Sequence, residues 1–109
     1  MYTYKAFVRR VYDGDTITCD IDLGFNMLMK NQKIRLYGIN TPEIRGESRE
    51  KGLIARDALR NKISNKWIII KTYKDRKGKY GRWLADLYED ENDESINNWL
   101  LKEGYAEKY

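Results

Sequence analysis

Thr16-Ile-Thr-Cys-Asp-Ile-Asp-Leu23 alternates without a break, Ile17, Cys19, Ile21 and Leu23 on one face and Thr16, Thr18, Asp20 and Asp22 on the other. A period of two over eight residues is a half-buried strand, with Cys19 pointing inward. Before it, about Tyr2 to Tyr12 reads as a less regular strand. After it, Lys33 to Ile39 opposes Ile34 and Leu36 to Lys33, Arg35 and Tyr37. The period then changes. From Glu47 to Ile63 the pairs Ile54/Ala58 and Leu59/Ile63 recur at helical spacing, and Glu47 or Ser48 can open the helix.

Lys66 to Tyr73, with Ile68-Ile69-Ile70, is a fourth strand. Lys77-Gly78-Lys79 reads as a turn, and Tyr80 to Tyr88 alternates with Trp83, Ala85 and Leu87 on one face. Ser95 caps a short helix that groups Ile96, Trp99 and Leu100, and Gly104 ends it. The order β-β-β-α-β-β-α predicts a mainly β, α+β domain. A five-stranded barrel with a helix after strand three and a short C-terminal helix is the OB-fold order.

The chain has 109 residues, enough for one domain over 1–109. It contains no histidine, which excludes imidazole bases and histidine metal ligands, and its lone Cys19 excludes an intramolecular disulfide and multi-thiolate clusters. At 41% hydrophobic and 35% charged it is too apolar to be disordered. No stretch is long enough for a signal peptide or a membrane span. A cytoplasmic protein is expected, or a secreted one if the chain is a processed form.

Charge is unevenly spread. Residues 1–85 carry 19 Lys and Arg against 9 Asp and Glu, whereas residues 86–109 carry 2 against 8. A basic body with most of the nine tyrosines and three tryptophans suits single-stranded nucleic acid, although a solvated surface with aromatic strands accounts for composition as well.

Two loops can carry chemistry. Asp13-Gly14-Asp15-Thr16 joins strands one and two, and Asn40-Thr41-Pro42-Glu43 leaves strand three. Each is readable as a turn. Together their oxygens can surround a hard cation. Arg35 and Arg82, on different strands, can grip one phosphodiester from two sides; singly, such arginines are more often surface ion pairs. Lys71 to Arg82, with six cations against Asp75, is a phosphate-tracking loop or simply a soluble hairpin.

These residues resemble the staphylococcal (micrococcal) nuclease family. The resemblance rests on Val11-Tyr-Asp-Gly-Asp-Thr16, Arg35-Leu-Tyr-Gly-Ile-Asn-Thr-Pro-Glu43 and Lys79-Tyr-Gly-Arg-Trp-Leu-Ala85, in the family's order, with Gly104-Tyr-Ala106 following. It implies a calcium-dependent nuclease that hydrolyses DNA and RNA, leaving 3′-phosphate ends, and the expected action is on single-stranded or frayed nucleic acid with low sequence specificity. By the same resemblance Asp15, Asn40 and the Thr41 carbonyl hold Ca2+, Glu43 activates water, and Arg35 and Arg82 bind the scissile phosphate. Lys79 and Tyr80 contact substrate phosphate, and Tyr109 matches a base-stacking tyrosine, one residue short of the usual spacing. Asn40 stands where the family normally has an aspartate. Nucleic acid is the expected partner and a monomer the expected state, with no membrane association. The rival expectations are a weak or inactive nucleic-acid-binding OB module and a protein-interaction domain with a degenerate site.

Overall fold

Why the first hairpin forms is visible in its turn. In the computed structural model, which describes residues 2–77 and 81–109 with the side chains of 74–77 left aside, β1 (Tyr2–Asp13) and β2 (Thr16–Gly24) pair antiparallel across Gly14-Asp15. A Cβ on Gly14 would sit 2.7 Å from Thr41 Cγ2 and 2.9 Å from Ala55 Cβ, so glycine is required there by close packing. Phe25 (φ 55°) and Asn26 (φ 59°) then form a two-residue turn into β3 (Met27–Leu36), with Gly24 opposite Met27. Two consecutive positive φ values match the right-handed twist of the flanking strands.

Ile39–Asn40 forms a two-residue strand, β4. A short 3-10 turn (Gly46–Ser48) leads into helix α1 (Arg49–Ile63), followed by β5 (Trp67–Lys77), β6 (Trp83–Tyr88), helix α2 (Ile96–Lys102) and β7 (Glu107–Lys108). The closed barrel has the strand order β1-β2-β3-β6-β5; β4 and β7 pair outside it. β3 and β6 run parallel, the other barrel pairs antiparallel. This is the expected α+β, OB-like barrel.

Val8, Ile17, Ile34, Leu36, Ile70 and Leu87 fill its interior, joined by Leu59 and Ile63 of α1 and Ile96 and Leu100 of α2. Cys19 is fully buried, as expected, and burial pushes its thiol up to about 12, so it is inert as a nucleophile. Ser95 caps α2 by accepting the Asn98 N–H at 3.0 Å.

Four expectations need correction. The third strand begins at Met27 and ends at Leu36; Gly38 (φ 77°) breaks it before Ile39. The buried face of α1 is Gly52, Ala55, Leu59 and Ile63, while Ile54 is exposed, because α1 meets β1 one residue round from the Ile54/Ala58 line. Leu23 is exposed beyond the barrel's rim, and Asp20 is buried where the alternation puts a solvated residue. Asp20 accepts Arg9 Nε at 2.7 Å and the Asn31 N–H at 2.9 Å, and these bonds hold its carboxyl below the usual range. The last barrel strand begins at Trp83; Gly78, Lys79 and Tyr80, and with them the expected turn, lie outside the described residues.

Barrel closure depends on buried Asn97. Its Oδ1 accepts the Leu87 N–H at 3.0 Å, and its Nδ2 donates to Tyr37 O at 2.9 Å and Ala85 O at 3.2 Å. The amide thus ties α2 to β6 and to the chain leaving β3. Truncation takes this partner from the Leu87 N–H and the Tyr37 carbonyl at once, while Ala85 O keeps the Tyr37 N–H. Asn97→Ala is expected to cost about 2–3 kcal/mol, from the desolvation of unpaired polar groups, and to lower the melting temperature by roughly 10 °C or more for a domain of this size. Thermal unfolding followed by circular dichroism checks this; an unchanged midpoint would refute it.

Candidate active site

Four chain segments converge on one cleft of about 710 Å³, lined among others by Asp13, Asp15, Arg35, Asn40, Thr41, Glu43, Arg82 and Tyr109. The β1–β2 turn delivers the acids. Asp13 Oδ1 accepts the Asp15 N–H at 3.1 Å, the local bond that shapes an Asp-Gly-Asp turn. Asp15 is buried, and its Oδ2 accepts the Thr41 N–H at 3.0 Å while its Oδ1 accepts the Thr16 hydroxyl at 3.2 Å.

Arg35 sits opposite Thr16 in the β2–β3 ladder. Its Nη1 donates to Leu36 O at 2.8 Å, and its Nη2 donates to Asn40 Oδ1 at 3.2 Å and lies 3.5 Å from Asp15 Oδ2. Arg82 enters from just ahead of β6 and donates from Nη1 to Thr16 Oγ1 at 3.2 Å. The two guanidinium groups therefore flank one threonine and one carboxylate. Charge at this spot favours an anion arriving between them.

The exit loop is held from below by α1. A Cβ on Gly52 would lie 2.7 Å from Pro42 O and 2.8 Å from Glu43 O, so the helix approaches the loop backbone as only glycine allows. Ser48 Oγ donates to Glu43 O at 2.8 Å and to Arg45 O at 3.1 Å. The Glu43 side chain itself is 68% exposed, its Oε2 accepting Arg45 Nε at 2.9 Å. The chain end closes the other wall. β7 pairs with β4, and Tyr109 N donates to Gly38 O at 3.0 Å, which sets the Tyr109 ring 5.5 Å from the Arg35 guanidinium carbon.

Seven of the nine residues singled out from the sequence thus line one cleft; Lys79 and Tyr80 lie outside the described residues. Sequence reasoning missed Arg45 and Gly52, named Thr16 only within its motif, and took Ser48 only as a helix opener. Gly52 left a signal, a glycine in the interior of an otherwise regular helix.

Among the described residues no three His, Cys, Asp or Glu side chains converge as a metal-binding group. The donors present are nonetheless all hard oxygens: the Asp15 and Asp13 carboxyls, the Asn40 amide and the Thr41 carbonyl. That set suits a hard divalent cation in chemistry while being poor in charge. Asp13 carries a trace of the crowding. Burial, then the hydrogen bond and charge of Asp15, push its carboxyl up to about 6.

A carboxyl that binds its proton more tightly folded than unfolded stabilises the fold below the unfolded value near 4, and that stability is lost as pH rises through about 6. In chelator, unfolding free energy should fall across this window. Asp13→Asn should flatten the slope. Urea titrations between pH 4 and 7 measure both, and an identical slope in the variant would sink the assignment.

A family profile described as "Staphylococcal nuclease homologue" matches residues 33–109. The thermonuclease of Staphylococcus hyicus is 36% identical over 107 residues, covering 95% of this chain and 57% of that protein. The thermonuclease of Staphylococcus intermedius is 34% identical over 102 residues, 91% of this chain and 56% of the other. An uncharacterized protein of Methanocaldococcus jannaschii is 30% identical over 129 aligned positions, 97% of this chain and 59% of the relative. The chain spans somewhat over half the length of these curated relatives. With the family profile covering most of the chain, the barrel closed as described and described residues of all three motifs meeting at one cleft, the protein belongs to the staphylococcal nuclease homologue family.

Proposed function

We propose that the protein is a nuclease that hydrolyses phosphodiester bonds of DNA or RNA with calcium as cofactor, leaving 3′-phosphate ends. The observation that carries this reading is the placement of Arg35 and Arg82 around Asp15 and Thr16 in a cleft that also holds Glu43. In this reading the phosphodiester enters between the two guanidinium groups, whose N–H donors meet its non-bridging oxygens. Glu43, exposed at the mouth, takes a proton from a water that attacks phosphorus opposite the 5′-oxygen. The P–O5′ bond breaks, the departing 5′-oxygen takes a proton from solvent, and the phosphate stays on the 3′ side. Tyr109 offers a ring against which a neighbouring base stacks. Asp15, Asn40 and the Thr41 carbonyl are the residues that would hold calcium, whose charge lowers the cost of the anionic transition state.

Donors that tighten as charge develops raise turnover more than they raise binding. Arg35→Ala and Arg82→Ala should each lower kcat by about 10²–10³ with smaller change in KM, the loss typical of a removed oxyanion donor. Cleavage of labelled single-stranded DNA and RNA under calcium, magnesium or chelator tests reaction, cofactor and substrate together. Calcium should support turnover better than magnesium, since the irregular, oxygen-only donor set lacks magnesium's octahedral demand. Full activity in chelator would refute the cofactor, and no turnover in any condition would leave an inactive nucleic-acid-binding module, the reading that Asn40 and the sparse acids favour.

Asn40 offers a separate test. Calcium affinity follows the charge on its ligands. Asn40→Asp should tighten calcium binding and Asn40→Ala should weaken it, read by calorimetry. Three superimposable titrations would mean that residue 40 is not a ligand.

A further inference from the structure

Two rows of side chains stand side by side on the outer face of the barrel wall. Directly opposed residues of paired strands share a face, and β2 turns Ile17 and Cys19 into the core, so Thr16 and Thr18 face out. The first row is Asp13–Thr16–Arg35, which the bonds of Arg82 to Thr16 and the approach of Arg35 to Asp15 make part of the cleft. The second is Arg10–Thr18–Lys33, two residues further along β2. Two residues of strand measure about 7 Å, and neighbours within a row stand about 5 Å apart.

The second row carries two cations and no acid. Arg10 and Lys33 are exposed, and Thr18 between them is half-buried. Opposed strands are stabilised by pairing cations with acids, yet among the described residues neither Arg10 nor Lys33 makes an ion pair. The acids beyond this row are engaged elsewhere. Asp20, the next outward residue of β2, accepts Arg9 Nε at 2.7 Å and the Asn31 N–H at 2.9 Å, and Asp22 after it accepts the Gly24 N–H at 2.8 Å. From α1, Arg60 donates to Val11 O at 3.2 Å, which adds a cation beside Arg10, while Asp57 holds Arg56 at 3.0 Å. The positive charge of Arg35 and Arg82 therefore continues out of the cleft across β1–β2–β3, and its own repulsion is relieved by an anion.

We propose that Arg10, Thr18 and Lys33 form a second phosphate subsite, which binds the phosphodiester adjoining the scissile one on a single strand. The proposal rests on the nuclease reading for which phosphate is cut. With one phosphodiester between Arg35 and Arg82, a strand that continues over Thr18 brings its next phosphate between the Arg10 fork and the Lys33 ammonium, one row away. Arginine meets two phosphate oxygens at once and lysine supplies a point charge, with the Thr18 hydroxyl between them. Substrates with two or more phosphodiesters thus gain a contact that a dinucleotide lacks.

Anisotropy of a labelled oligothymidine of about 12 nucleotides, measured in chelator from about 50 to 200 mM salt, reads this contact without cleavage. Each phosphate held on a single strand adds about 0.7 to the slope of log affinity against log salt. Combining Arg10→Gln with Lys33→Gln, both at exposed positions, should flatten the slope by about 0.7 and weaken binding about fivefold near 0.1 M salt. Combining Arg10→Lys with Lys33→Arg should keep both near wild type. Lys102→Gln, a charge loss on α2, should leave the slope unchanged. In calcium, the double glutamine variant should lose on KM more than on kcat for the oligonucleotide, and should lose less for a dinucleotide. A wild-type slope in the folded double glutamine variant overturns the subsite, as does an equal loss in Lys102→Gln or an equal KM rise for the dinucleotide. If wild type cuts nothing while the slope flattens in the double glutamine variant alone, the nuclease reading falls and the phosphate subsite stands; cleavage with an unchanged slope gives the reverse.

Discussion

Everything in the cleft depends on three residue pairs. Ile34 opposite Trp83, Arg35 opposite Leu84 and Leu36 opposite Ala85 make up the parallel β3–β6 pairing that closes the barrel. Parallel neighbours cannot be joined by a tight turn, so α1 and β5 fill the connection between them. The closure is short and joins distant parts of the chain, which makes it costly in chain entropy. Two hydrogen bonds to one carbonyl offset this: Tyr37 N donates to Ala85 O at 2.9 Å, and the Asn97 side-chain amide donates to it at 3.2 Å. Because Arg35 lies within the pairing and Arg82 immediately ahead of it, the hydrogen bonds that close the barrel also set the Arg35 guanidinium beside Asp15 and the Arg82 guanidinium on Thr16.

The elements legible in the sequence were those whose residues see core on one side and water on the other. Thr16–Asp22 alternates because β2 spans the barrel wall, and Ile17, Cys19 and Ile21 are buried as the pattern says. The α1 and α2 boundaries follow from spacing and from Ser95 and Gly104. The start of β3 was not legible. Met27 to Asn31 are all exposed on a hairpin that extends past the core, so nothing imposes a period on their side chains. The Phe25-Asn26 turn lacked the Asn-Gly or Asp-Gly signature that announces such a hairpin. The two-residue strands β4 and β7 are too short to leave any pattern.

The candidate site divides in the same way. Asp15, Arg35, Asn40, Thr41, Glu43 and Arg82 are legible because charged and amide groups at strand ends stand out against apolar runs. Their arrangement is not, because it arises from tertiary contacts without sequence proximity. Arg35 meets Asp15 and Asn40, and Arg82 meets Thr16, across 66 residues of chain. In the sequence Asn97 carries no mark that sets it apart from the neighbouring Asn98. Its burial reflects the backbone groups of Tyr37, Ala85 and Leu87 that point at it, which a linear pattern does not contain.

The exit loop carries the last constraint, and it is made by missing atoms. Gly14 meets the Thr41 side chain from one side, and Gly52 meets the Pro42 and Glu43 carbonyls from the other. A methyl group at either position would have to displace a β-branched side chain or a peptide unit, neither of which can yield without shifting the loop. The backbone from Thr41 to Glu43 is therefore clamped between the β1–β2 turn and α1, and Thr41 N is held on Asp15. The Glu43 carboxylate, by contrast, is largely exposed and is paired with the exposed Arg45. A fixed main chain under an exposed carboxylate holds the acid in one place while leaving its head able to change partners. Under the proposed nuclease reading, that division between a rigid anchor and an adjustable head suits a group that binds a proton in one step and releases it in another.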